Sequence, residues 1–326
     1  MTINILIISV YAITLITGVP ANILAFYTFC RKVRRNPTAI DVLLLSLTIS
    51  DLIFLTLLPF KIKEAVDQMI WNMPSFLCPL TSFLFYTTIY NSTLLLTAVS
   101  VERYLGVAFP IMYSRWRRPR YAVIASVFFW VVCSVNLVVV YIMPYNDLAT
   151  PPYQCYTNFS SDQLEVLLYV RLELFFVLFC VPFFVSCFCY INFIRILSHL
   201  PHISRRRRLR AIGLAAGTLL VFAVSFGPYN LSHVVGFART EDEGWRTVVL
   251  LASTLNACLD PIIFYMTSSD VRSILSGVLH NIMAKLHLLR CGGGGGGEGG
   301  GGGGGGGVAL TQAAPVETRK EKEVPG

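Results

Sequence analysis

Three cationic or titratable side chains stand near one end of three separate apolar stretches of this 326-residue chain: Arg171, His233 and Arg246. Arg171 precedes Pro182 by eleven residues, about 16 Å of helix at ~1.5 Å per residue. Arg246 precedes Asp260 by fourteen, about 21 Å, and His233 follows Pro228 by five. Tyr229, four residues before His233, shares its helical face. Two guanidiniums, an imidazole and a phenol at one depth are chemistry for one small anion, because arginine grips a carboxylate through two parallel N–H···O bonds. The competing reading is surface pairing of Arg171 with Glu173 and of Arg246 with Glu241, Asp242 and Glu243, leaving His233 structural.

A second group sits at the other end of the apolar stretches. The chain carries no charge from Gln68 to Val101 and then places Glu102, Arg103 and Tyr104 in succession. A charge at mid-bilayer costs ~2.5–3.5 kcal/mol, so this triplet marks a place where charge reaches water or a partner. Two further carboxylates, Asp51 and Asp260, lie inside apolar stretches, the second followed by Pro261. Water and a sodium ion between them, or simple pairing between helices, are equally good accounts. No other metal site and no cofactor is expected.

Membrane spans are the elements that must position these groups. Hydrophobic residues make up 55% of the chain and charged residues 13%, against about 25% charged in a soluble domain. Seven apolar runs, roughly 3–29, 40–62, 75–108, 120–143, 164–197, 207–237 and 246–267, are each long enough for the ~20 residues a span requires. The first 30 residues carry no charge and are too long for a cleavable leader, so they read as a first span that also targets the chain. The net charge of +8 gathers in alternate loops, around Arg31–Arg35, Arg115–Arg120 and Arg205–Arg210, so it reports orientation and not a nucleic-acid-binding face. Basic loops inside put the N-terminus outside and the tail in the cytoplasm.

The fold class expected is an all-α membrane protein, a seven-helix bundle over residues 1–290 with an amphipathic helix, 268–290, on the inner leaflet. Residues 291–326, with the glycine tract 292–307, form a disordered cytoplasmic tail. Cys291 is a candidate for palmitoylation. Pro182, Pro228 and Pro261 each remove a backbone donor and favour a kink. Of nine cysteines, Cys78 and Cys155 alone fall at outer ends or loops where oxidation is possible. Of three sequons, Asn91 and Asn230 lie inside runs, which leaves Asn158 as the glycosylation site.

Several classes are excluded or disfavoured. The seventh run has no lysine for a retinal Schiff base, and the third has no aspartate to hold an amine. Asp51 and Asp260 lack the Gly-x-Gly-Asp setting of an intramembrane aspartyl protease. An odd span count without inverted repeats fits a transporter poorly.

Over nearly all of its spanning region the chain resembles rhodopsin-like G-protein-coupled receptors, on Asn22, Asp51, Trp71, Glu102-Arg103-Tyr104, Trp130, Pro182, Pro228 and Asp260-Pro261. More narrowly it resembles the free fatty acid receptors, most of all the short-chain type 2 members. Leu58–Ile62, Ser100–Pro110, Val170–Leu174 and Phe226–His233 carry that likeness. The resemblance implies a Cys78–Cys155 disulfide and a carboxylate site of Arg171, Arg246, His233 and Tyr229. It also implies acetate, propionate or butyrate as agonist, and inhibitory or Gq-class G proteins as partners, with arrestin a further partner. The rival ligands are other anions, such as a longer fatty acid or a nucleotide. Asn136 and Thr157 stand where the short-chain and type 2 receptors have histidine and glutamate, and Phe226 and Phe264 replace the usual tryptophan and tyrosine.

Overall fold

The computed structural model describes residues 2–116, 118–142, 155, 159–200, 204–240, 245–267 and 276–277. Thr157, Asn158, Glu241, Asp242, Glu243, Cys291, the glycine tract, the tail and nearly all of the expected amphipathic helix lie outside them.

The described chain is helical: α1 (Thr2–Arg35), α2 (Ala39–Val66), α3 (Leu77–Ala108), α4 (Pro110–Trp116), α5 (Pro119–Ile142), α6 (Ser161–Glu173), a π-helical segment (Leu174–Cys180), α7 (Val181–His199), α8 (Arg205–Arg239), α9 (Arg246–Thr254) and α10 (Asn256–Thr267). Seven of these stretches are long and apolar enough to cross a membrane. They reproduce the seven runs read from sequence. The fifth joins α6, the π segment and α7, and the seventh joins α9 and α10. Local chemistry sets two of the starts. Thr38 caps α2 by accepting from the Asp41 N–H, and Ser160 with Gln163 forms a capping box for α6.

Two-thirds (67%) of the most apolar stretch of α3 is buried, against 22% for α1 and α5, so α3 is the axis of the bundle. The outer faces of α5 and α7 present Ile124, Phe128, Val131, Val135, Phe184 and Phe188 as exposed apolar stripes, as a lipid-facing surface should. Apolar contact alone gives little association between helices in lipid, and polar groups supply register. One such seam joins α3 to the fifth span. Thr93 Oγ1 donates to Leu178 O (3.1 Å), Thr97 Oγ1 to Pro182 O (3.3 Å), and Ser186 Oγ to Thr97 Oγ1 (3.0 Å).

Pro182 has no N–H to offer the carbonyl of Leu178, four residues back, and Thr93 supplies one from α3 while the π segment absorbs the irregularity. Pro261 likewise cannot serve Ala257, whose carbonyl accepts from Asn22 Nδ2 of α1 at 2.7 Å. Pro228 and Pro261 both lie inside continuous helices, α8 and α10, and the break in the seventh span falls at Leu255. Neighbouring side chains satisfy freed carbonyls, so proline need not interrupt the helix that holds it.

Candidate functional site

The fold gathers Arg171, Tyr229, His233 and Arg246 into one cavity. Arg171 comes from α6, Tyr229 and His233 from α8, and Arg246 from the first turn of α9. All four line the same space, with Tyr86 and Tyr90 of α3, Leu137 and Val140 of α5, and Leu167, Val170 and Leu174 of the fifth span. The cavity volume is about 10 Å³, the space that one water requires. Arg171 is buried (3% exposed), whereas Glu173 is exposed. Burial thus sets Arg171 apart from the surface carboxylate that offered the competing reading.

Tyr229 is the hub. Its hydroxyl accepts from Arg246 Nη2 at 3.0 Å, and the guanidinium sits 5.4 Å from its ring centre. Its ring stacks on Tyr86 (6.2 Å, 9°) and meets His233 edge to face (4.7 Å). The Tyr90 hydroxyl lies 2.9 Å from His233 Nε2 and donates to Asn230 Oδ1 at 3.2 Å. One hydroxyl carries one hydrogen. If it goes to Asn230, Nε2–H donates to Tyr90, and Nδ1 is the free lone pair of a neutral imidazole. Nδ1 is buried without a hydrogen-bond partner among the described residues. Arg171 rests against the Phe159 ring at 5.8 Å. Tyr86, Tyr90 and Asn230 were missed in the sequence. The four-residue step from Tyr86 to Tyr90 on one face of α3 was the available signal.

The Glu102-Arg103-Tyr104 triplet sends its side chains three ways. Glu102 accepts from the Tyr113 hydroxyl of α4, Arg103 Nη1 donates to the Tyr190 hydroxyl of α7 (3.2 Å), and Tyr104 packs edge-on to Phe109 and Phe188. Between the two ends of the bundle, Asp51 and Asp260 are both buried (2% and 0% exposed), with Asn256 Nδ2 donating to Asp260 Oδ2 at 2.7 Å. Asp51, Ser92, Ser253 and Asn256 line a common cavity. Asp51 and Asp260 interact directly, and Asp51 Oδ2, Asp260 Oδ1 and Asn256 Oδ1 are buried without a conventional hydrogen-bond partner among the described residues. Oxygens of this kind fit a small hard cation.

Cys78 and Cys155 form a disulfide, with Trp71 packed against it. Asn91 and Asn230 are fully buried (0% exposed), in keeping with their exclusion as glycosylation sites. Just outside the second span, Lys63 and then Asn72 hydrogen-bond Asp67 and hold its carboxyl below the usual carboxylate range.

Helix count, span order and the inner triplet define a seven-helix receptor, and comparison with known proteins gives the same class. Residues 21–264 match the 7 transmembrane receptor (rhodopsin family). The chain is 47% identical over 279 residues to mouse free fatty acid receptor 3, covering 84% of this chain and 87% of that protein. It is also 47% identical over 273 residues to mouse and to human free fatty acid receptor 2, covering 82% of this chain and 83% of each of theirs. The chain belongs to the rhodopsin-like seven-transmembrane receptors and, within them, to the free fatty acid receptor family. The type 2 and type 3 relatives match it equally well. It is therefore a multi-pass plasma-membrane receptor with a ligand and a heterotrimeric G protein as partners, and it is not an enzyme. The protease reading of Asp51 and Asp260 falls with that assignment.

Proposed function

We propose that this receptor is activated from outside the cell by short-chain carboxylates such as acetate, propionate and butyrate. The single observation that carries this reading is that Arg171, Arg246, His233 and Tyr229 line one cavity. The carboxylate pairs with the two guanidiniums, and the Tyr229 hydroxyl and His233 complete the polar wall. Leu137, Val140, Leu167, Val170 and Leu174 face the acyl chain. The cavity has room for one water, so any acid must push its lining apart to enter; two guanidiniums match a single carboxylate, whereas a nucleotide needs more than two cations. Ligand efficiency tops out at about 1.5 kcal/mol per non-hydrogen atom, which limits acetate to about 6 kcal/mol and a dissociation constant of roughly tens of micromolar at best.

The N-terminus faces outward, as the basic loops require. Ligand binding favours an arrangement of the last three spans that opens the inner end, which demands a difference in ligand affinity between the two arrangements. Arg103 then engages an inhibitory or Gq-class G protein, and arrestin docks on the same face. Asp51 and Asp260, with Asn256 and Ser92, would hold a sodium ion that favours the closed arrangement. Glycosylation at Asn158 and palmitoylation at Cys291 belong to the same reading.

The test is propionate-evoked G-protein activation in cells expressing the chain, beside Arg171→Ala and Arg246→Ala at matched surface level. A parental response lost in both variants supports the reading. Silence of the parent toward every two- to six-carbon acid, or a response that survives both substitutions, overturns it.

A further inference from the structure

A chain of buried hydrogen bonds runs from the backbone of α8 to the imidazole of His233, and it fixes which ring nitrogen carries the proton. Asn230 Nδ2 donates to Phe226 O at 2.9 Å, and a carbonyl only accepts, so the amide is held with Oδ1 toward Tyr90. Oδ1 cannot donate, so the Tyr90 hydroxyl, 3.2 Å away, gives it its one hydrogen. The 2.9 Å contact between that hydroxyl and His233 Nε2 then requires a hydrogen on Nε2, which leaves Nδ1 bare. Tyr90 and Asn230 are 0% exposed and His233 1%, so bulk solvent does not compete for these groups.

A bare Nδ1 is the wrong group for a carboxylate. His233 lines the cavity with Arg171 and Arg246, its Nε2 is taken by Tyr90, and Nδ1 is buried without a hydrogen-bond partner among the described residues. Guanidiniums only donate and a carboxylate only accepts, so those groups match. Nδ1 without a proton also only accepts. Against a carboxylate oxygen it sets lone pair on lone pair in a buried site, where an unmet polar group costs most. The mismatch disappears when ring and phenol exchange roles: Nδ1–H donates to the carboxylate, and the Tyr90 hydroxyl donates to Nε2. Only the 3.2 Å bond from Tyr90 to Asn230 is given up.

We propose, resting on the carboxylate reading of this cavity, that a short acid drives this exchange, with Tyr90 and Asn230 as positioning residues that hold His233 in the form that resists it. Entry of the acid pushes the lining apart and admits water, to which Nε2 loses its proton and from which Nδ1 takes one. One N–H bond breaks and one forms. The ring stays neutral, because two guanidiniums already exceed the charge of one carboxylate. The Tyr90–Asn230 bond is the threshold that a ligand overcomes, and its loss reports occupancy to α8 two residues past Pro228.

The test uses the full chain in nanodiscs, with its histidines isotope-labelled for nitrogen NMR. Protonated and bare imidazole nitrogens resonate far apart, and the His233 pair is assigned among the five histidines by its loss in His233→Gln. The ligand-free receptor should show Nε2 protonated and Nδ1 bare, and saturating propionate should exchange the two. Asn230→Leu deletes the acceptor that holds the Tyr90 hydrogen, so its ligand-free spectrum should no longer favour Nε2–H. Propionate affinity in that variant should rise roughly 2- to 10-fold, the worth of one neutral hydrogen bond. The two spectra of the parent decide the exchange even where the variant fails to fold. A proton on Nδ1 without ligand, or a proton still on Nε2 alone with propionate bound, overturns it. A doubly protonated ring overturns it too, in favour of proton uptake. An Asn230→Leu receptor that folds and binds propionate no more tightly overturns the threshold. Propionate that shifts no resonance and evokes no response defeats the carboxylate reading and the exchange with it, a result distinct from binding without exchange.

Discussion

Two arginine–tyrosine pairs stand at opposite ends of this bundle, Arg246 on Tyr229 and Arg103 on Tyr190, and they are built for different work. Each guanidinium donates to a phenol hydroxyl, at 3.0 Å and 3.2 Å respectively, and lies near its ring. At the outer end a second arginine and a histidine line the same cavity, and none of the described residues lining it is acidic. At the inner end Glu102 is the adjacent residue, engaged by Tyr113, and a ladder of hydroxyls from Thr93 to Ser186 leads toward the pair. The outer site concentrates positive charge that an incoming anion answers. The inner site holds a carboxylate and a guanidinium on neighbouring residues with separate partners, so its state is set by how α3, α4 and α7 are arranged. The same pairing of residue types thus serves recognition at one end and switching at the other, and the surrounding charge makes the difference.

Substitutions can break that comparison. The largest effect is expected at the outer arginines: Arg171→Ala or Arg246→Ala should abolish the propionate response in a G-protein activation assay, since each leaves a carboxylate half paired in a dry site. Arg103→Ala should abolish activation too, but radiolabelled ligand binding at the outer cavity should persist. Loss of both readouts would show that the two ends are not separable. Tyr229→Phe keeps the ring stack on Tyr86 and removes only the hydroxyl that Arg246 uses. A hydrogen bond to a charged group contributes about 1.5–3 kcal/mol, so propionate potency should fall by roughly 10- to 150-fold. The direction of the shift decides whether that hydroxyl orients the arginine for ligand or competes with it.

Asn22→Leu tests the frame that both sites share. It removes the donor to Ala257 O, which Pro261 leaves unserved, and should cost about 1–3 kcal/mol, read as a lower melting temperature in detergent. Retained stability would mean that the seventh span satisfies this carbonyl in another way. The smallest effect is expected at Tyr113→Phe, which releases Glu102 from α4. Basal G-protein activation should change by less than the ligand response changes in any variant above.

Much of this was legible before any fold was known. The count and order of spans follow from apolar length and loop charge, because a backbone in lipid must satisfy its hydrogen bonds within a helix. The depth of Arg171, His233 and Arg246 follows from counting residues at a fixed rise. The partners that complete the cavity did not follow. Tyr86 and Tyr90 look like ordinary core aromatics of α3, and only packing shows that Tyr90 serves His233 and that Tyr86 stacks on Tyr229. The prolines teach the same lesson. Their sequence shows which carbonyls lose a donor, and only the fold shows that Asn22 and Thr93 arrive from other helices to serve those that Pro261 and Pro182 leave free.

By itself, the amino-acid order determined that this chain has seven spans, which end of each holds the cations, and where a carboxylate is buried. These are properties of single helices, set by hydropathy and a fixed rise per residue. Only the tertiary structure decided that Arg171, Tyr229, His233 and Arg246 share one cavity and that Arg103 reaches Tyr190. Those outcomes depend on how each helix is rotated about its axis. In lipid that rotation is set by a few long-range polar contacts, such as Asn22 to Ala257 and Thr93 to Leu178, whose partners lie far apart in the chain.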